Sequence, residues 1–436
     1  MFKRGIKALR ETSVEARTSI FCMGFGQFLY GQKVKGILFF GIELAFLSYF
    51  FLRGFQDMVG FFTLGTQKAD TWFGIEGDNS VIMLLMGILS FILLALALYL
   101  YYLNVKDALH LEQLRREGKK IPTFREEIAT VMDRDFPFFV LSVPVLGIMV
   151  FSVLPIIFMI LIAFTNYGGK IVPPELVSWV GLKNFVKIIS LSQFAPTFFK
   201  ILSWNIVWAI LSTGLNYFGG LALALLFTNK RVKGNAIWRA FPILAYAIPG
   251  FISLLAFKFM FSYGGPINQI IQGWGHQAIG FLDVDAKWSA RVIGLLVNAW
   301  IGVPSIMLLA TGLLSNRDES LYEAAEIDGA NKWAQFTKIT LPYIITATTP
   351  VLIGQFVGNF NNFGIFYFLR GGLYLDNYFL ASDTDLLINW LYNLSIDNNY
   401  YSIGASISLV IFLLTSIVSL SVYVRSSSYK EGGNFS

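Results

Sequence analysis

Val81 to Leu103 reads VIMLLMGILSFILLALALYLYYL, an apolar stretch without a charged side chain. As a helix it is about 34 Å long, enough to cross a hydrocarbon core of about 30 Å. Hydrocarbon offers the backbone no hydrogen-bond partner, so the stretch crosses as a helix, and the short alternating segments of a transmembrane barrel are not evident. The fold class follows: an all-α polytopic membrane protein.

Working outward, similar stretches run from Phe136 to Phe164, Trp204 to Phe227, Ile237 to Phe261, Val292 to Leu314, Tyr343 to Phe368 and Ile403 to Val424. Gly36 to Leu52 is shorter and carries Glu43, and the apolar run Ser19 to Tyr30 before it fits the membrane interface. That gives about eight transmembrane helices. The whole chain agrees, with 436 residues of which 55% are hydrophobic and 14% charged, against about 25% charged in soluble domains.

Lys and Arg in the flanks orient the spans. With the N-terminus inside, most of the 33 basic residues fall in inner segments, and both termini are cytoplasmic. The start, with Lys3, Arg4, Lys7, Arg10 and Arg17, precedes no cleavage site and reads as a retained cytoplasmic end. The net charge of +6 is thereby a topology signal that calls for no nucleic acid. The expected organisation is a cytoplasmic or interfacial segment 1–35, two leading spans 36–103, a cytoplasmic connector 104–135 rich in Lys and Arg, a six-span core 136–424 and a cytoplasmic tail 425–436.

Much chemistry is missing. A single cysteine, Cys22, forms no intramolecular disulfide, and with His110 and His276 the only histidines no metal cluster is expected. Neither Gly118-Lys119 nor Gly169-Lys170 completes a phosphate-binding loop, and no hydrolase motif occurs. A membrane enzyme such as a glycosyltransferase would need a carboxylate cluster. Asp383 and Asp385, a close pair in an outer loop, read instead as solvated turn residues. A proton-coupled carrier would need acids deep in its spans. Glu43 is the one acid there, better read as interfacial or paired with another helix; Lys258 lies near the end of its span. Amides are more plentiful, at Asn205, Asn216, Asn298, Gln355, Asn359, Asn361 and Asn362. Singly each suits a bridge between helices, but with Tyr246, Trp300 and Phe363 they offer the amides and aromatic faces a neutral sugar binds.

The inner segment 315–342 is the most informative. Asp318 suits the cap of a short helix in which Leu321, Ala324 and Ala325 share a face. Gly329 suits a left-handed end, Asn331 a second cap and Pro342 the start of the next span. Two short helices meeting at a glycine make a compact projection suited to a cleft in a cytoplasmic partner. The pattern Glu323-Ala324-Ala325, Gly329, then Ile339, Leu341 and Pro342, resembles the signature loop of permease subunits of binding-protein-dependent ABC importers. In that family the loop docks on the ATP-hydrolysing subunit, so ATP and Mg are expected on a partner ATPase dimer, with no cofactor and no catalytic residue in this chain.

A narrower resemblance runs through Phe241 to Ser253, Val297 to Gly302, Asn359 to Phe363 and Thr384 to Leu387, with Pro155 to Tyr167 and Val180 to Phe185 typical of carbohydrate permeases. These are similar to the larger, eight-span subunit of maltose and maltodextrin permeases, whose core the resemblance covers from Phe136 to Val424. It implies a sugar site at Tyr246, Gly250, Asn298, Ile301, Gly302, Ser305, Gly358, Asn359 and Asn362, midway across the membrane. Gly250, Ser305 and Gly358 depart, standing where the best-known relative has Ser, Tyr and Phe; two aromatic surfaces and one hydroxyl are lost. The large outer domain that some relatives insert after the third span is also missing. The implied assembly is a heterodimer with a second permease subunit, an ATPase dimer and an extracytoplasmic sugar-binding protein in a bacterial cell membrane. It imports an oligosaccharide, maltodextrin before the alternatives of a raffinose-type or multiple-sugar substrate.

Overall fold

The computed structural model describes residues 13–70, 72–133, 136–229, 231–316 and 318–425. The basic start up to residue 12 and the tail from 426 lie outside the described residues. Seven helices are long and apolar enough to cross a membrane, and a pair bent by 96° makes up to eight. Pairing in the extended sense is limited, among the described residues, to isolated bridges such as Asp70 with Ile75. The chain divides into two compact units, Met1–Gly181 and Leu182–Ser436.

In the first unit α1 (Val14–Phe21) and α2 (Phe25–Leu29) form a hairpin ahead of α3 (Lys33–Thr63) and α4 (Ser80–Arg116). The first span runs past the expected end at Leu52, through a π turn at Phe50–Gly54. Asp57 does not stop it, because Ser90 and Tyr49 hydroxyls share a hydrogen bond of 2.8 Å beside its carboxylate, 3.4 Å from each, while Arg53 stays exposed. Polar groups are thereby satisfied against α4.

The connector expected at 104–135 is helical as far as Arg116 and again in α5 (Phe124–Asp133). It is strapped to the N-terminal segment. Asn104, fully buried, accepts from Gly24 N at 2.8 Å and donates to Ser19 O at 2.9 Å. Lys35 reaches Asp107 at 2.6 Å and Glu127 at 2.7 Å. Glu43 accepts from Met23 N at 2.8 Å, so this acid ties the hairpin down. The Ser19–Tyr30 run accordingly buries one face, with Ser19, Met23, Gly26, Gln27 and Tyr30 inside and Phe21, Phe25 and Phe28 outside. The third span, α6 (Phe136–Ile162), has its side chains largely exposed until Ile162, the surface expected of a helix facing lipid or another chain.

The second unit begins with α7 (Lys183–Ser190) and α8 (Ala195–Thr228), then the bent pair α9 (Asn235–Ala247) and α10 (Gly250–Met260). Pro249 breaks this pair, since its ring removes a donor and bars a straight helix. There follow α11 (Pro266–Gly273), α12 (Lys287–Ser315), α13 (Glu319–Ile327), α14 (Lys332–Gln335), α15 (Leu341–Phe360), α16 (Phe363–Arg370), α17 (Leu387–Tyr392) and α18 (Tyr401–Arg425).

The frame is the long seam between α8 and α12. Small residues let the backbones approach: a Cβ on Gly220 would stand 2.6 Å from Ile306 Cβ, and one on Gly302 2.3 Å from Asn216 Nδ2. At one end of the seam Trp204, Trp208, Ile293, Val297 and Phe366 pack together; at the other Leu221, Phe227, Met307, Leu314 and Ile344 do. Trp208 and Phe366 meet edge to face with centroids 4.9 Å apart, and both are fully buried.

Candidate functional site

Between those two apolar clusters lies a chain of uncharged amides. Asn362 Nδ2 donates to Asn298 Oδ1 at 3.0 Å, Asn298 Nδ2 to Asn359 Oδ1 at 3.3 Å, and Asn359 Nδ2 to Thr213 Oγ1 at 3.0 Å. Four elements supply it, because α8 carries Thr213, α12 carries Asn298, the end of α15 carries Asn359, and Asn362 caps α16 by accepting from Ile365 N at 3.3 Å. Trp208 Nε1 holds the backbone at this point by donating to Asn359 O at 3.1 Å. Each amide both donates and accepts, so the chain can open toward hydroxyl groups without changing charge. Such a site suits a neutral polyol.

The structure brings together Asn298, Asn359 and Asn362, and adds Thr213, which the sequence did not mark. Ser305 and Gly302 lie one step along α12, where Ser305 Oγ donates to Gly302 O at 2.8 Å. Ile301 is half-buried and packs against the Trp208 cluster. Tyr246, Gly250 and Gly358 lie outside the hydrogen-bonded chain. Tyr246 is exposed at the end of α9, Gly250 opens α10 beyond the bend, and a Cβ on Gly250 or Gly358 would meet nothing within 4 Å. Of the aromatic faces, Trp300 is half exposed and sits edge-on to Phe257 with centroids 6.1 Å apart, whereas Phe363 stacks on Tyr367 at 4.5 Å. Asn205 is a structural bridge, donating to Phe360 O at 3.0 Å and accepting from Leu387 N at 2.7 Å. Asn361 donates to Val357 O at 3.1 Å within its own chain turn.

The 315–342 loop has the expected form. Asp318 accepts from Ser320 N at 2.9 Å and Asn331 from Ala334 N at 2.8 Å, capping α13 and α14. Gly329 has φ +80°, and Ala330 N bonds to Ala325 O at 2.8 Å while Gly329 N bonds to Glu326 O at 3.0 Å. These paired bonds end a helix through a left-handed residue, which explains the glycine and gives the two alanines a contact at the turn. A Lys332–Glu326 ion pair crosses the turn. Tyr322 OH meets Thr340 Oγ1 at 2.8 Å, fixing α13 against the π turn Phe336–Thr340 that leads to Leu341 and Pro342. Glu323, Ala324, Leu321, Ile327 and Trp333 are exposed, and α13 buries no residue.

The opposite end of the unit corrects the sequence. Asp383 and Asp385 are not solvated turn residues; they are 7% and 6% exposed. The reason is Arg370, itself 4% exposed at the end of α16, whose NH1 pairs with Asp383 Oδ1 at 2.7 Å. NH1 also donates to Thr384 Oγ1 at 3.1 Å, and Nε and NH2 meet the carbonyls of Leu282, Asp283 and Val284 at 3.2, 2.7 and 3.2 Å. Arg291 donates to Asp383 O at 2.5 Å and lies 3.8 Å over the Trp204 ring. Asp385 accepts from Ser382 N and Ser382 Oγ, both at 2.9 Å, and burial pushes its carboxyl up to about 6 against those donors. The available signal was two arginines at the ends of apolar runs and a Ser382-Asp383-Thr384-Asp385 stretch able to fold over them.

The family described as "Binding-protein-dependent transport system inner membrane component" matches residues 216–427. The galactooligosaccharides transport system permease protein GanP of Bacillus subtilis (strain 168) is 34% identical over 412 residues, covering 94% of this chain and 96% of that protein. The maltodextrin transport system permease protein MalC of Streptococcus pneumoniae serotype 4 is 32% identical over 434 residues, covering 97% and 98%. Among solved structures, a chain of a bacterial ABC transporter involved in import of the acidic polysaccharide alginate is similar in fold, with TM-score 0.55 and 22% identity over 68% of this chain and 97% of that one.

Proposed function

The chain belongs to the inner-membrane components of binding-protein-dependent transport systems, and on that premise we propose that it carries an oligosaccharide, a maltodextrin first, across a bacterial cell membrane. It is a non-catalytic permease subunit without a cofactor; ATP is hydrolysed by a partner ATPase. In this reading a binding protein presents sugar at the outer face, and a second permease subunit completes the pathway. Both termini are cytoplasmic. Glu323 to Pro342 takes up the closure of the ATPase dimer, and Tyr246, Gly250, Asn298, Ile301, Gly302, Ser305, Gly358, Asn359 and Asn362 line the sugar route.

The observation that carries this is the uncharged Asn362–Asn298–Asn359–Thr213 chain inside an apolar bundle. Sugar hydroxyls match its alternating donors and acceptors, and nothing covalent changes in transit. A galacto-oligosaccharide is the second reading, favoured by the relative at 34% identity over nearly the whole chain.

The test is uptake by the reconstituted transporter of labelled maltotetraose and 4′-galactosyl-lactose, with raffinose as control. Maltotetraose uptake that requires this chain supports the first reading. Uptake of 4′-galactosyl-lactose or raffinose alone keeps the importer class and moves attention to Gly250, Ser305 and Gly358; uptake of none refutes the oligosaccharide substrate.

A further inference from the structure

One helical turn from the asparagine chain, toward the 315–342 loop, three of its four elements, α8, α12 and α15, carry a second set of polar groups. Asn216 of α8 is 3% exposed, and its Oδ1 has no hydrogen-bond partner among the described residues. Gln355 Oε1 on α15 is buried without a partner as well. Both sit at one step of α12. Gln355 Nε2 donates to Ser305 Oγ at 3.4 Å, Ser305 Oγ donates to Gly302 O at 2.8 Å, and the missing side chain of Gly302 makes room for the Asn216 amide. Four residues separate Gly302 from Asn298 and Gln355 from Asn359, an axial displacement of about 6 Å, comparable with one hexose ring.

Folded proteins pair nearly all buried polar atoms, and the groups left over ask for an explanation. Here two neutral acceptors belong to side chains that meet the same turn of α12, one at a glycine and one at a serine, next to a cluster already suited to hydroxyls. We propose that Asn216 and Gln355 form a second sugar-binding tier, their side-chain oxygens accepting hydroxyl hydrogens from the sugar unit adjacent to the one held by Asn298, Asn359 and Asn362. An acceptor pair with no charge beside it selects a donor-rich neutral ligand. This inference rests on the oligosaccharide reading above and adds two specificity-determining residues to it.

The experiment uses the full transporter in proteoliposomes, with Asn216→Leu, Gln355→Met and Asn216→Thr, and reports on whichever of labelled maltotetraose and 4′-galactosyl-lactose the wild type carries. Loss of one hydrogen bond should raise KM about five- to tenfold in the Leu and Met variants, more than it lowers the maximal rate. Asn216→Thr, which keeps an oxygen acceptor, should restore KM to within about twofold. Unchanged KM in both apolar variants overturns the second tier while leaving the oligosaccharide reading intact. So does a threonine variant as impaired as the leucine one, since that pattern marks a packing role. A wild type that carries neither of these sugars nor raffinose refutes both readings together.

Discussion

The two ends of the second unit are built on opposite plans. At the 370–393 end, two arginines and two aspartates lie in the interior, and backbone carbonyls from 282–284 and 383 complete their shells. At the 315–342 end, α13 buries none of its residues and takes its shape from contacts within about twenty residues of itself. The first end fixes the spacing of α8, α12 and α16 without help. The second has a capped, hydrogen-bonded outline and a bare surface, as the proposed docking on a partner requires.

The largest expected effect strikes the closed end. Arg370→Met should leave Asp383 as an uncompensated buried charge, at a cost of about 3–5 kcal/mol. It should appear as loss of the chain from the membrane or rapid cleavage within 371–386; a normally assembled, protease-resistant variant would contradict the rigid-end account.

A smaller effect should come from pH. Asp385 has its carboxyl raised from 3.8 to about 6, so its favourable contribution is complete below about pH 4 and is lost as pH rises through about 6. Acidification from about pH 7.5 to 5.5 should therefore tighten this loop, by about 0.8 kcal/mol, seen as slower amide exchange at 382–393. Asp385→Asn should flatten the dependence, and a loop that loosens on acidification would reverse the sign argued here.

The mildest variants touch the bare end. Glu323→Ala and Gly329→Val should leave the chain in the membrane while lowering sugar-stimulated ATP hydrolysis about tenfold, a coupling change of 1–3 kcal/mol in size. Valine at φ +80° is strained in the turn itself. Intact stimulation in both variants would remove this loop from the coupling path.

This contrast also explains what could be read from the sequence. The spans were visible because apolar length is a local property, and the loop was visible because Asp318, Gly329 and Asn331 act on neighbours in the chain. The burial of Asp383 is not legible locally because its partner Arg370, 13 residues away, is itself held inside by the carbonyls of 282–284 and lies beside Arg291, 86 to 92 residues distant. The first span reads as ending at Leu52, since Arg53 and Asp57 look like an end until Ser90 is placed beside Asp57. In the proposed sugar site the asparagines stand out in the sequence by residue type alone. Thr213 gained its place only through a hydrogen bond reaching 146 residues along the chain.

The glycines of the proposed sugar route differ in the freedom they leave to future sequences. At Gly302 any side chain collides with Asn216, whereas at Gly250 and Gly358 a new Cβ enters open space. Random mutation can thus furnish the route with new groups at Gly250 and Gly358 while the seam stays closed to change. Shifts of diet among descendants of this transporter should be written at those two positions, with Gly302 kept constant beneath them.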